Sequence, residues 1–282
     1  MEKIQDSRYK RLPSPQELTD MDRDLAFGDV ETGCQRVLTE EQILSYNREG
    51  YIKPLRIFDE HEMTEYRAQL DEVMKAALAA GQTSYSIISA HLKAPVVYDL
   101  LTHKHIIAYV KDLLGEDVIA WGAHCLCKLP GDGKQIAWHQ DASYWPLSPS
   151  RTVTAWLAID DADKGNACMR FVAGCLRNGH LEYRQSEADE ENVLNQTVDD
   201  VEQYGRVVYD ELGAGEISLH SDLLLHGSDV NRSDRRRFGL TLRFCAAEVR
   251  AEMGWNSEAV GVSGSDPSGH WAHRPRPTAV AV

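Results

Sequence analysis

Two patterns of hydrophobic and polar positions follow each other along the chain. Between residues 38 and 115, apolar residues recur at the spacing of amphipathic helices. This pattern predicts helices over about 40–48, 60–80 and 103–114, with a short strand at 51–55. Thr39 is placed to cap the first helix, and Gly50, Gly81 and Gly115 are placed to end the three helices.

From residue 118 onward, short β-rich runs alternate with turn residues. The predicted strands are 118–129, 152–159, 168–174, 206–211, 216–228 and 236–249. Helices followed by many short strands predict a mainly β fold with flanking helices, an antiparallel jelly roll. We expect an N-terminal extension (1–37), the jelly-roll domain (38–250), and a C-terminal tail (251–282) that could fold back over the barrel mouth. The acidic segment 184–204 would be a surface insertion or a lid.

Composition narrows the range of partners. The formal net charge of −14 repels phosphate backbones and anionic membranes, so we expect no nucleic-acid and no membrane partner. A small cationic or zwitterionic molecule fits this charge better. No apolar run is long enough to span a bilayer, and the charged N-terminus does not resemble a signal peptide. The six cysteines are therefore expected to be reduced thiols of a cytoplasmic protein, with Cys125 and Cys127 in the core.

Two short motifs carry candidate metal ligands. In the first, WHQD (138–141), a strand would turn His139 and Asp141 to the same side. The second motif, HGS, begins at His226. Two histidines and one carboxylate leave coordination positions open, as in non-haem Fe(II) oxygenases. By spacing alone His220 is a rival ligand, because it lies six residues before His226, and this even spacing would place both on one face of an unbroken strand.

Five stretches of the chain resemble one known family: LTEEQILSYNREGYI, WHQDASYWPLSPSRTVTAWLAIDDAD, GNACMRFVAG, GAGEISLHSDLLLHGSDVNRS and RRRFGLTLRF. The segment 38–250, which contains them, resembles the phytanoyl-CoA dioxygenase family of Fe(II)- and 2-oxoglutarate-dependent oxygenases. The resemblance implies a double-stranded β-helix with His139, Asp141 and His226 as iron ligands, and a structural role for His220. Halogenating members of the family have Ala or Gly at the position of Asp141, so the resemblance implies a hydroxylase.

A second set of residues is expected to bind the co-substrate. A buried arginine fork suits the distal carboxylate of 2-oxoglutarate, and strand alternation leaves at least one of Arg235, Arg236 and Arg237 at the surface. The family spacing implies Arg237 as this anchor. The resemblance also implies three further 2-oxoglutarate contacts. Ser228 would donate its hydroxyl, Trp156 could equally be a core residue, and Lys128 could instead touch substrate. The implied cofactors are Fe(II), 2-oxoglutarate and O₂, with ascorbate as an aid in vitro.

The substrate is expected to be a small polar molecule. Candidate contacts come from the loop after the metal motif, the barrel strands and the tail: Tyr144, Trp145, His124, Arg243, Trp271 and Arg274. An aromatic side and a basic side would suit a zwitterion, and an aminoalkylphosphonate is the leading hypothesis because the phosphonate-hydroxylating branch of the family has a similar length. Alternatives are an amino acid or natural product, a non-catalytic jelly-roll binding module, and a zinc hydrolase with the same ligands. A homo-oligomer is a further possibility that the sequence leaves open.

Overall fold

The helices lie in the first half of the chain. In the computed structural model, which describes residues 11–85 and 87–281, they are α1 (Pro15–Asp20), α2 (Glu40–Glu49), α3 (Glu60–Ala79), α4 (Ala90–Lys93), α5 (Pro95–Leu101) and α6 (Lys104–Leu114). Thr39 caps α2 in a capping box with Gln42, and Gly50 ends it with a left-handed φ of 89°. The three predicted helices are confirmed as α2, α3 and α6. The short helices α1, α4 and α5 carried too little periodicity to be predicted.

The strands dominate the rest of the chain. They are β1 (Tyr51–Arg56), β2 (Ile87–Ile88), β3 (Val118–Lys128), β4 (Ile136–His139), β5 (Leu147–Ser148), β6 (Thr152–Ala158), β7 (Met169–Ala173), β8 (Arg184–Gln185), β9 (Gln196–Thr197), β10 (Arg206–Asp210), β11 (Glu216–Ser221), β12 (His226–Ser228), β13 (Arg237–Ala246), β14 (Arg250–Ala251) and β15 (Val260–Ser263). A large antiparallel sheet has the order β1-β11-β6-β13-β3-β15, with β2 also paired to β3. A smaller antiparallel sheet has the order β10-β7-β12-β4. The predicted jelly roll, a double-stranded β-helix, is confirmed.

The two faces of the large sheet have different environments. On β13, the apolar side chains pack into the core beneath the helices: Phe238, Leu240, Leu242 and Phe244. The same core includes Leu70 of α3 and Val110 of α6. Because side chains alternate along a strand, the intervening residues face the other way, toward the small sheet. The helices thus bury one face of the sheet and leave the inner face to carry polar groups. Cys125 and Cys127 lie in the helix-side core, as predicted.

One predicted strand is broken in the structure. The run 216–228 divides into β11 and β12, separated by the turn 222–225. The turn carries the chain from the large sheet to the small one, so His220 and His226 lie on different sheets. The argument that an even spacing on an unbroken strand puts both on one face is therefore wrong. A run of leucines, Leu223 to Leu225, hid this turn because all three are fully buried.

Both ends of the described chain pack on the barrel. Near the N-terminus, Arg23 donates hydrogen bonds to the backbone carbonyls of Ala142 and Trp145, at 2.8 and 2.9 Å. In the C-terminal part, β15 adds to the edge of the large sheet beside β3. The three-part division at 37 and 250 stays a prediction, and residues 1–10 of the expected extension lie outside the described residues. Within residues 11–85 and 87–281, no helix has the length and apolar character needed to cross a membrane.

Candidate active site

Three candidate metal ligands meet on the small sheet. His139 ends β4 and pairs directly with His226 at the start of β12, and their ring centroids are 4.2 Å apart. The strand stops at His139, but Gln140 keeps an extended backbone before a 3₁₀ turn begins at Asp141. Asp141 therefore still points toward the histidines, with its Oδ1 at 3.9 Å from Nε2 of His139. One ligand atom from each of the three residues lies within 4.8 Å of the others.

The orientation of the two imidazoles fits a metal ion. Nδ1 of His139 lies 2.9 Å from the carbonyl of Ala137, and Nδ1 of His226 lies 2.8 Å from the carbonyl of Leu224. A carbonyl can only accept, so each Nδ1 carries the proton and each Nε2 keeps a free lone pair. Burial, together with the nearby His226, lowers the pKa of His139 well below its ordinary value. The neutral imidazole is the form that binds a metal.

Asp141 is held by its surroundings as well as by its own turn. Its carboxylate is buried, with Oδ2 at 3.5 Å from the hydroxyl of Thr154 on β6. The carbonyls that Arg23 binds belong to the residue after Asp141 and to Trp145. The N-terminal segment therefore braces the turn that carries the candidate carboxylate ligand, a contact that no local sequence signal indicated.

His220 lies beside this group but outside it. Its ring centroid is 4.9 Å from that of His226, and the residue is buried on the inner face of β11. It does not belong to the group whose ligand atoms lie within 4.8 Å of one another. Burial and the two neighbouring histidines lower the pKa of His220 well below its ordinary value, so it is neutral.

The three consecutive arginines point in different directions. Arg235 pairs with Asp163 at the surface, and Arg236 pairs with Asp160 and Asp71 at the outer side. Arg237 is completely buried on the inner face and donates a 3.4 Å hydrogen bond to the hydroxyl of Ser228.

The guanidinium of Arg237 has N–H donors that are not used within the described part of the protein. Its Nε and Nη1 have no hydrogen-bond partner in the described part of the chain. The ring of Trp156 lies 5.6 Å from its Cζ, and Gly239, two residues further on, faces the same ring. A buried cation with unpaired donors, beside a hydroxyl, fits a carboxylate ligand.

Lys128 lies elsewhere than expected. It is fully buried, but its ammonium group binds the backbone carbonyls of Lys134, Ser228 and Asp229. It is not among the residues that line the cavity. The expected direct contact of Lys128 with 2-oxoglutarate or substrate is therefore corrected: backbone oxygens occupy the donors of this group, and it fixes the end of β12 next to Ser228.

A cavity of about 140 Å³ joins these groups between the two sheets. The metal-ligand candidates line it together with Arg237, Ser228 and four of the predicted substrate contacts: Tyr144, Trp145, His124 and Arg243. Val193 and Leu194, from the segment 184–204, close one wall, and this was not predicted beyond the suggestion of a lid. The other walls are mainly apolar, with Leu126, Ile136 and Met169 among them.

The two predicted contacts from the tail do not reach the cavity. Trp271 is buried in a separate cluster with Trp121, Trp145 and Trp255. Arg274 is exposed, and its backbone NH donates to the carbonyl of Ala259. Because β15 holds the tail on the outer edge of the large sheet, the chain continues along the outside of the barrel. The prediction that Trp271 and Arg274 contact substrate is wrong in this structure.

Comparison with known proteins identifies the family. The model of the family described as phytanoyl-CoA dioxygenase (PhyH) matches residues 46–239, which is more than half of the chain. The chain belongs to this family. Membership confirms the predicted class of enzyme, a non-haem iron dioxygenase dependent on 2-oxoglutarate, and with it the predicted cofactors.

Individual relatives are distant. The peroxisomal phytanoyl-CoA dioxygenase of Bos taurus is 22% identical over 236 residues, covering 75% of this chain and 69% of that protein. A protein of Stutzerimonas stutzeri described as "Probable alpha-ketoglutarate-dependent hypophosphite dioxygenase" is 22% identical over 236 residues, covering 76% of this chain and 81% of the relative. Among solved structures, the apo form of the non-heme monooxygenase ThoJ superposes with a TM-score of 0.69 at 23% identity, covering 84% and 88% of the two chains.

Proposed function

We propose that this enzyme hydroxylates a C–H bond of a small polar metabolite, using Fe(II), 2-oxoglutarate and O₂. The observation that carries the proposal is one cavity that holds both a facial group of two histidines and a carboxylate and a buried, unpaired arginine. The first set matches the ligand needs of non-haem Fe(II), and the second matches the distal carboxylate of 2-oxoglutarate. A jelly-roll binding module needs neither.

The residues of the chain have distinct tasks in this scheme. His139, Asp141 and His226 would hold the iron, with the Nδ1 hydrogen bonds of the histidines fixing their rings. Arg237 and Ser228 would anchor 2-oxoglutarate. When bound, the iron and co-substrate supply the oxidising chemistry; the apolar walls exclude water and the remaining lining positions the target carbon. The presence of Asp141 supports hydroxylation over halogenation, which would need that coordination position for a halide.

For the substrate, we propose an aminoalkylphosphonate as the leading candidate, with an amino acid or another natural product as the alternatives. The cavity of about 140 Å³ favours a small molecule. One relative is named for hypophosphite, a small phosphorus oxyanion. A CoA thioester, the substrate for which the family is named, is disfavoured by the net charge of −14. Cytoplasmic location and oligomeric state stay predictions.

The test is a titration followed by a turnover screen. Adding 2-oxoglutarate to the anaerobic Fe(II) protein should produce the weak visible absorption of a chelated complex, and a panel of small phosphonates and amino acids should give substrate-dependent succinate release. Asp141→Ala should abolish turnover, and Asp234→Ala, which removes an exposed carboxylate, should not.

Each alternative predicts a different result. A zinc hydrolase would be active with Zn(II) and indifferent to 2-oxoglutarate. A binding module would bind neither iron nor 2-oxoglutarate and would release no succinate with any compound. Normal turnover by Asp141→Ala would refute the ligand assignment.

A further inference from the structure

A second guanidinium lines the same cavity. Arg243 lies on β13 six residues after Arg237, so strand alternation turns both toward the inner face. Six residues of strand separate their Cα atoms by about 20 Å. Arg237 lies against Ser228, two residues beyond His226, whereas Arg243 pairs across the sheet with Thr154, whose hydroxyl contacts Asp141. The metal-ligand group therefore lies between the two arginines.

Arg243 has no anionic partner in the described part of the chain. Among residues 11–85 and 87–281, no carboxylate lies within 4.0 Å of its nitrogens, and its buried Nε has no hydrogen-bond acceptor. Asp141, the only carboxylate among the described residues that line the cavity, is too far away to form an ion pair with it. Arg243 is half-buried, and burying a guanidinium nitrogen without a hydrogen-bond acceptor is unfavourable. The other inward arginine, Arg237, shows the same pattern and has a ligand in the proposed function.

Aromatic rings fix the position of this cation. Its Cζ lies 5.1 Å from the ring centroid of Trp145 and 5.6 Å from that of Trp121. The register of β3 against β13 shifts between Arg243 and Phe244, so Trp121 is the extra residue of a bulge, and such bulges re-aim a side chain. The two rings meet edge to face with centroids 4.6 Å apart. They stabilise the guanidinium by cation–π contacts, and its Nε keeps an unpaired hydrogen-bond donor.

The sum of the charges along the cavity, with metal and 2-oxoglutarate bound, is one uncompensated positive charge. With a divalent metal bound, the metal and two guanidiniums would face one carboxylate among the described lining residues, Asp141, and the neutral His220 would add no charge. The dianion 2-oxoglutarate compensates two of the three excess positive charges. One remains, at the end of the cavity where Arg243 lies.

We propose that Arg243 binds an oxyanion of the substrate, a carboxylate, phosphonate or phosphinate group, on the side of the metal opposite the 2-oxoglutarate anchor. This inference rests on the proposed function and deepens it. It assigns recognition of the anion to the barrel wall, and it restricts the substrate to small molecules that carry an acidic group within a few bonds of the oxidised carbon. Among the described residues the cavity offers no second carboxylate for an ammonium group, so the aromatic ring of Tyr144 is left to contact any cationic part.

Anion binding can be measured before the substrate is known. The anaerobic Fe(II) protein is saturated with 2-oxoglutarate, which occupies Arg237, and is then titrated by calorimetry with acetate, with its neutral isostere acetamide, and with methylphosphonate. We expect both anions to bind at least tenfold more tightly than acetamide. Arg243→Gln should weaken anion binding about 10- to 100-fold, the range for loss of a charged hydrogen-bonded contact, without changing 2-oxoglutarate affinity. Arg243→Lys should retain part of it, and the surface control Arg235→Gln all of it.

The outcomes separate this inference from the proposed function. If the absorption of the 2-oxoglutarate complex forms but acetate and methylphosphonate bind no better than acetamide, the anion subsite is refuted and the enzyme class stands. Equal anion binding by Arg243→Gln and the wild type refutes it too. If no such complex forms, the proposed function fails, and the subsite is then decided in metal-free Arg237→Gln protein with and without Arg243→Gln. Should Arg243→Gln fail to fold, the comparison of acetate with acetamide in the wild type still decides.

Discussion

Gly239 occupies a position where any side chain would collide with Trp156. A Cβ built there would lie 2.1 Å from Cζ2 and 2.4 Å from Cε2 of the indole, whereas ordinary carbon contacts begin near 3.4 Å. The ring must therefore move by more than 1 Å in Gly239→Ala, although Trp156 is completely buried. Overpacking of this kind costs about 1–3 kcal/mol, less a few tenths regained from the stiffer unfolded chain. Because the ring also flanks Arg237, we expect weaker 2-oxoglutarate binding.

Chemical denaturation and 2-oxoglutarate titration of Gly239→Ala test this reasoning together. The matched control is Gly133→Ala, where a Cβ would meet nothing within 4 Å. Trp156→Leu removes the ring atoms that collide, so the double variant should be more stable than the sum of the single changes implies. A Gly239→Ala protein with the stability and 2-oxoglutarate affinity of the wild type would show that the indole does not pack against β13 as described.

Three further changes test how the site is held. Gly227→Ala would place a Cβ 2.8 Å from a carbonyl oxygen of β4; it should separate the two strands that carry the histidines and weaken Fe(II) binding, in contrast to the unhindered Gly133→Ala. Arg23→Ala removes the donors that brace the turn after Asp141, so it should lower the free energy of unfolding by about 1–3 kcal/mol and reduce Fe(II) affinity, measured by equilibrium dialysis against the exposed control Arg36→Ala. Arg237→Ala should raise the 2-oxoglutarate concentration needed for half-maximal turnover at least tenfold, and an unchanged requirement would refute the anchor.

Local pattern indicated the candidate residues of the site, and the family resemblance selected His226 over His220 and Arg237 as the anchor. Neither the motif 138–141 nor the histidine before Gly227 indicates a metal site by itself. Together they can bind one metal only if the two distant strands that carry them pair. The structure pairs His139 with His226 directly. Arg237 and Arg243, predicted separately as co-substrate anchor and substrate contact, alternate onto one face of β13, and both line the cavity.

The remaining errors concern contacts between distant parts of the chain. The turn 222–225 has three buried leucines after Asp222, and this apolar run resembled the interior of a strand, so the prediction missed that His220 and His226 belong to different sheets. Lys128, which the family resemblance implied as a contact, is fully buried, but its ammonium group donates to backbone carbonyls of other segments. The path of the tail depends on where its strand β15 pairs, and β15 pairs with β3 at the outer edge of the large sheet. Pairing partners of this kind are set by tertiary packing, which periodicity does not report.

The inner face of β13 places the functional groups in a fixed order. Arg237 is the proposed anchor of 2-oxoglutarate, Gly239 leaves room for Trp156, Thr241 lines the cavity wall, and Arg243 is the proposed substrate contact. The order follows from a period of two residues, and the apolar residues between them bind the same strand to the helices. A shift of one residue would expose the core and bury the arginines in it at once. The stability of the fold and the spacing of the two anion-binding groups are therefore under the same constraint, and the distance from co-substrate to substrate cannot drift without unfolding the strand.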